Sequence, residues 1–143
     1  MYCSLYTSKI INQPNSKEMS KKILIVDDEA HIRMLIEQTL EELEDEGVEF
    51  FTADNGEKAL EMIQAEQPDL VFLDVMMPKM NGMDVCRKVK HEIGQEVFII
   101  LLTAKGQELD RLKGAEVGAD IYMTKPFDPE VLLTKAKEVL GID

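Results

Sequence analysis

Six consecutive apolar residues, Val97-Phe98-Ile99-Ile100-Leu101-Leu102, constrain the fold more than anything else in this 143-residue chain. A strand that is apolar at every position has to be covered on both faces, as in the middle of a parallel sheet. Such a sheet is covered by helices that alternate with its strands.

That alternation runs from Lys22 onward. Ile23-Leu24-Ile25-Val26 is a short β-branched-rich run that ends in Asp27-Asp28. Ile32, Leu35, Ile36, Leu40 and Leu43 then recur at helical spacing on an acidic segment, which predicts an amphipathic helix ended by Gly47. Val48 to Ala53 reads as a second strand, and Asp54 or Asn55 can cap a helix carrying Ala59, Leu60 and Ile63. Pro68 breaks the chain before Leu70-Val71-Phe72-Leu73, a third strand ending at Asp74. Pro78, Asn81 and Gly82 mark a loop over 75–82, followed by a helix with Val85, Val89 and Ile93 that closes near Gly94.

After the fourth strand and Thr103 comes a fourth helix of weaker pattern, with Leu109, Leu112, Ala115 and Val117, ended by Gly118. Ile121-Tyr122-Met123 forms a fifth strand. Asp128 as N-cap, Pro129 at the first helical position and Glu130 near the positive dipole end open a fifth helix. Its apolar face is Leu132, Leu133, Ala136, Val139 and Leu140. Right-handed crossovers leave few topologies for five such units, and the flavodoxin-like (βα)5 doubly wound parallel sheet, strand order 2-1-3-4-5, suits them.

Residues 1–20 contain Ser4, Thr7, Ser8, Asn12, Pro14, Asn15, Ser16 and Ser20 without sustained periodicity, and are expected to be a flexible N-terminal extension. Residues 21–143 would form one domain, and Met19 is a candidate natural start. Lys and Arg total 16 against 28 Asp and Glu, a formal charge of -12. Such a surface repels nucleic-acid phosphates and anionic lipid headgroups, so neither nucleic acid nor membrane is expected as a partner. No apolar run approaches the ~18 residues that span a bilayer. Cys3 and Cys86 form neither a ligand motif nor a disulfide framework, and Cys86 reads as a small buried hydrophobe. With no export signal, these features point to the cytoplasm.

In doubly wound sheets, ligands collect beyond the carboxyl ends of the strands where strand order reverses. The residues expected there are Asp27 and Asp28 after strand one, Asp74 after strand three, Thr103 after strand four and Lys125 after strand five. Alone, each has an ordinary explanation as a helix cap or a solvated charge. Together, three carboxylates converging in a partly desolvated cleft repel one another, and a hard divalent cation such as Mg2+ removes that cost. Lys125 is a point charge suited to a phosphoryl oxygen and Thr103 a neutral donor, which suggests a phosphoryl-transfer site.

From about Lys22 to Leu140 the chain resembles the response-regulator receiver domain of two-component signalling. The resemblance rests on Ile25-Val26-Asp27-Asp28-Glu29, on the block from Asp74 through Pro78 and Gly82 to Asp84, on Leu102-Thr103-Ala104, and on the block from Gly118 to Lys125-Pro126-Phe127. It implies that Asp74 accepts a phosphoryl group from the phosphohistidine of a sensor histidine kinase or histidine phosphotransfer protein. It further implies that Asp28, Asp74 and the backbone carbonyl of Met76 ligate Mg2+, with Asp27 holding a water of the metal. Lys125 would bind phosphoryl oxygens, Thr103 would move toward the new group, and Tyr122 would rotate inward as the second switch residue. The Lys125-Pro126 peptide would be cis, and Met76 and Lys105 would affect phosphoryl lifetime.

Output would pass to a downstream protein through the face of the fourth helix, fifth strand and fifth helix, or the phosphoryl group would be handed on in a phosphorelay. A receiver excised from a larger response regulator or hybrid kinase would read the same way. An aspartyl-phosphate-forming phosphatase of the haloacid-dehalogenase type would need an Asp where Met76 stands. A flavodoxin-like electron carrier would need a Ser/Thr/Gly-rich loop where Asp27-Asp28-Glu29 stands. The expectation is therefore a phosphoacceptor rather than an enzyme of substrate turnover.

Overall fold

The computed structural model describes residues 20–104 and 115–143. The expected extension before Ser20, the candidate start at Met19, Lys105, and the fourth helix as far as Leu112 lie outside the described residues. Five strands, β1 (Lys22–Val26), β2 (Glu49–Ala53), β3 (Leu70–Asp74), β4 (Phe98–Ala104) and β5 (Ile121–Lys125), form one sheet in the order β2-β1-β3-β4-β5. Every pairing is parallel. This is the flavodoxin-like order 2-1-3-4-5. No helix among the described residues is long and apolar enough to cross a membrane.

Alternation along the inner strands distributes the core between two layers. Val71 and Leu73 of β3 point with Leu24, Val26, Ile99 and Leu101 toward α2 (Gly56–Glu66) and α3 (Gly82–Arg87), where Ala59, Ile63, Val85 and Cys86 complete the cluster. Leu70 and Phe72 point with Ile23, Ile25, Ile100 and Leu102 toward α1 (Ala30–Thr39) and the C-terminal helix (Pro129–Leu140), meeting Ile36, Leu132 and Ala136. Two faces to cover are why β3 and β4 have no polar position until Asp74 and Thr103.

Among the described residues, two helices depart from the periodicity. The helix expected to continue through Leu43 stops at Thr39, and a 3-10 stretch over Glu41–Glu46 carries the chain to Gly47. Thr39 Oγ1 donates back to the Leu35 carbonyl at 2.8 Å, and Glu41, Glu42, Glu44 and Glu46 would meet the negative end of a longer helix dipole. Leu40 and Leu43 still reach the core, one 3-10 turn apart, whereas Leu35 is 43% exposed. In the second case α3 widens into a π-helical stretch, Lys88–Ile93, before Gly94. With more residues per turn, Ile93 falls outside the apolar stripe and is 42% exposed.

Of the two expected caps Asp54 and Asn55, it is Asn55 that accepts from the Lys58 N–H. Asn81, expected only as a turn residue, caps the next helix by accepting from the Asp84 N–H. Asp128 accepts from the Glu130 N–H ahead of a helix that has Pro129 in its first turn. These caps set where each helix leaves the carboxyl end of the sheet, and with it the shape of the rim.

Candidate functional site

Asp74 is the last residue of β3, Lys125 the last of β5, and Asp27 and Asp28 follow directly on β1. Because β1 and β3 are neighbours, the three carboxylates share one place on the rim, with one oxygen from each within 4.8 Å of the others. Asp27 is fully buried and Asp74 nearly so, while Asp28 faces solvent. Thr103 lies inside β4 rather than after it, 1% exposed, one position below the end of the strand.

Lys125 reaches across from β5 to join the acids. Its Nζ stands 3.0 Å from Asp27 Oδ2 and 3.2 Å from Asp74 Oδ1. Burial alone would lower the pKa of this ammonium, but its hydrogen bond to Asp27 and the charge of Asp74 outweigh that and hold it above the ordinary lysine value. Asp27 is satisfied on its other oxygen as well, where Oδ1 accepts from the Glu29 N–H at 2.9 Å.

Asp74 is the group under strain. Burial pushes its carboxyl up to about 6, and the negative charge of Asp27 adds to the rise against the opposing pull of Lys125. Among the described residues, one ammonium stands against three carboxylates. All the side-chain donors in this cluster are oxygens, which suits a hard cation such as Mg2+ and not a soft one. The residues present fit such an ion on chemistry as well as on spacing.

The loop after β3 completes the rim. Val75 N–H bonds the Leu102 carbonyl at 2.9 Å and Gly82 N–H bonds the Val75 carbonyl at 2.9 Å, closing the segment on itself. Gly82 is required there, since a Cβ would overlap the Asp74 carbonyl oxygen and lie 3.0 Å from Val75 Cα. Met76 is 70% exposed, while Met77 and Met80 pack against the core and Met83 is buried. Tyr122 is half-buried on the α2–α3 side. The Lys125-Pro126 peptide is cis. His31 is exposed, with Glu29 at 4.0 Å.

Arg33 is a site residue that the sequence did not announce. From the polar side of α1 its Nη1 donates to the Asp27 backbone carbonyl at 2.6 Å, anchoring the strand end that carries the acids. An arginine on an exposed helical face looks like any solvated charge, so only the fold could reveal the contact.

Three comparisons with known proteins agree with this geometry. The profile of the response regulator receiver domain family matches residues 23–137. The alkaline phosphatase synthesis transcriptional regulatory protein PhoP of Bacillus subtilis is 45% identical over 123 residues, 85% of this chain and 49% of that protein. A CheY-like receiver domain protein of Methanospirillum hungatei superposes with a TM-score of 0.74 at 33% identity, covering 85% of this chain and 94% of that one. The chemotaxis protein CheY4 of Vibrio cholerae gives 0.72 at 34% identity, covering 84% and 98%. The chain spans about half the length of the curated relatives it matches. PhoP is named for transcriptional regulation, so the expected absence of a nucleic-acid partner finds no support in these relatives.

Proposed function

The chain belongs to the response-regulator receiver domain family, and from that premise we propose that it is a phosphorylation-dependent switch with Asp74 as acceptor, built on a domain over 21–143. The observation that carries this reading is the excess of negative charge at the rim, where, among the described residues, three carboxylates gather around one lysine. Receiver domains are phosphoacceptors that work with histidine kinases or phosphotransfer proteins, and are not enzymes of substrate turnover.

In this reading a carboxylate oxygen of Asp74 attacks the phosphorus of a partner's phosphohistidine. The new O–P bond forms as the N–P bond breaks, and the imidazole nitrogen leaves with the electron pair. Asp28, Asp74 and the backbone carbonyl of Met76 would hold Mg2+ with Asp27 beside them, and the ion would supply positive charge for the arriving phosphoryl oxygens. Lys125, within 3.2 Å of Asp74, is close enough to exchange its carboxylate contact for a phosphoryl oxygen. Thr103 offers a hydroxyl from β4, and a phosphoryl group adds strong acceptors for both. Arg33 and the Glu29 N–H keep Asp27 in place while this happens.

The switch then consists of contacts available only in the phosphorylated state, which shift the population by no more than their own free energy. Tyr122 is the residue proposed to follow Thr103, carrying the change to the face of the fourth helix, β5 and the C-terminal helix. A downstream protein in the cytoplasm would read that face, or the phosphoryl group would pass onward to another protein's histidine.

Acetyl phosphate with Mg2+ tests the acceptor. One hydroxylamine-labile phosphoryl group per chain is expected by intact-protein mass spectrometry, and none in Asp74→Asn. Undiminished labelling of that variant would move the acceptor elsewhere.

A further inference from the structure

Gly56 opens α2 directly after its N-cap, Asn55. Nothing local asks for glycine there. Its φ is not positive, and an alanine suits a helix better because it has less backbone freedom to lose. The reason is tertiary. A Cβ at position 56 would overlap the Met80 carbonyl oxygen, and would stand 2.6 Å from Met80 Cβ and 2.7 Å from its carbonyl carbon. Two of those three atoms are backbone, which cannot swing aside as the end of a long side chain can.

Met80 belongs to the loop that begins after Asp74 and carries Met76. Its base is closed by the Gly82 to Val75 hydrogen bond, and Met80 N–H is tied to the Pro78 carbonyl at 2.8 Å. Lys79 already holds a left-handed φ of 70°, so the far arm of the loop has little slack. A push at Met80 is therefore transmitted to residues 76–79. We infer that Gly56 is a positioning residue for the metal centre: its bare backbone lets the loop seat against the start of α2, and so sets where the Met76 carbonyl stands. The inference rests on the reading of Met76 as a ligand given above.

The test compares two alanine substitutions in the full chain. Gly47 stands before β2, at the opposite end of the sheet, with φ +86 and open space for 4 Å around the place a Cβ would take. Gly47→Ala therefore strains the backbone without touching the loop. Magnesium alone is titrated by calorimetry, and hydrogen exchange of the peptide over 75–82 is followed in EDTA. Both variants should lose thermal stability. Only Gly56→Ala should weaken Mg2+ binding, by roughly 10-fold, the low end of what displaced outer-shell partners cost, and only it should speed exchange of the loop.

Equal Mg2+ affinity in wild type and Gly56→Ala, or the same weakening in Gly47→Ala, overturns the inference. A wild-type chain that takes up no Mg2+ overturns the metal reading itself and the inference with it. Should Gly56→Ala fail to fold, Met80→Gly approaches the contact from the loop side. It removes the Cβ that meets Gly56 and loosens the seat, so Mg2+ should again bind more weakly; unchanged affinity counts against the inference.

Discussion

Two lysine–aspartate clusters sit at opposite ends of the same sheet, and they are built to different counts. At the amino ends of β4 and β5, Lys90 Nζ is 2.6 Å from the Val97 carbonyl and 2.8 Å from Asp120 Oδ2, and that same oxygen accepts from the Ile99 N–H at 2.9 Å. One ammonium meets one carboxylate, and both are tied to backbone. At the carboxyl ends, one ammonium is shared by Asp27 and Asp74 with Asp28 close by. The first cluster is closed and holds a strand entry in register. The second is open: among the described residues it carries two uncompensated negative charges, an excess that a divalent cation can neutralise before a phosphoryl group, itself anionic, arrives.

Removing each lysine breaks the comparison most directly. Lys125→Met leaves Asp27 and Asp74 buried without a counter-charge, which should cost about 3–5 kcal/mol in EDTA. Added Mg2+ should restore part of that loss, because it supplies positive charge to the same carboxylates. Lys90→Met removes a structural pair whose carboxylate keeps its backbone donor, so the cost should be about 1–2 kcal/mol. Here Mg2+ should leave the deficit relative to wild type unchanged, because the ion stabilises both chains equally through the intact carboxyl-end site. Urea melts of both variants with and without Mg2+ decide the matter, and a rescue of equal size at the two ends would erase the distinction.

The next effect is a pH dependence confined to the open end. A carboxyl raised from 3.8 to about 6 favours the folded state when protonated. Its contribution is present in full below about 3.8 and is lost as pH rises through about 6. The full swing corresponds to roughly 3 kcal/mol. In EDTA, Asp74→Asn should therefore match the wild type near pH 4 and exceed it in stability by pH 7, with Mg2+ reversing the order. Lys125, raised above the ordinary lysine value, loses its contribution only at alkaline pH and leaves this window undisturbed. A stability difference that stays flat between pH 4 and pH 7 would mean that Asp74 is not held under charge repulsion.

The open end was legible in the sequence because strand ends are. Each of Asp27, Asp74, Thr103 and Lys125 stands where an apolar run gives way to polar residues, and period and topology then bring the run ends together. The helix cap Asp128 was legible for a similar reason, being local, and Asn55 was narrowed to one of two neighbouring residues. What stayed hidden depends on a second element. Arg33 reaches Asp27 only because α1 packs beside β1, and Gly56 matters only because Met80 crosses in front of it. The π-helical turn over Lys88–Ile93 leaves no mark in the periodicity that placed Val85 and Val89. Leu35 reads as core from its spacing, yet it is 43% exposed.

The smallest expected effect concerns another buried acid, the Cys86 thiol near the closed end. Burial pushes the Cys86 thiol up to about 11, with Lys90 lowering and Asp120 raising it by less, while its Sγ lies 3.5 Å from the Val117 carbonyl. Burial acts on Cys86 and Asp74 with the same sign, yet their chemistry at neutral pH differs. A carboxyl that starts at 3.8 and ends near 6 is still mostly ionised, whereas a thiol that starts at 9 and ends near 11 is not. The attacking form is the anion in both cases. Cys86 should therefore resist iodoacetamide in the native protein at pH 8 and react once urea unfolds it, read by peptide-resolved mass spectrometry. Rapid native alkylation at Cys86 would show a nucleophile at the end of the sheet where charge balance predicts none.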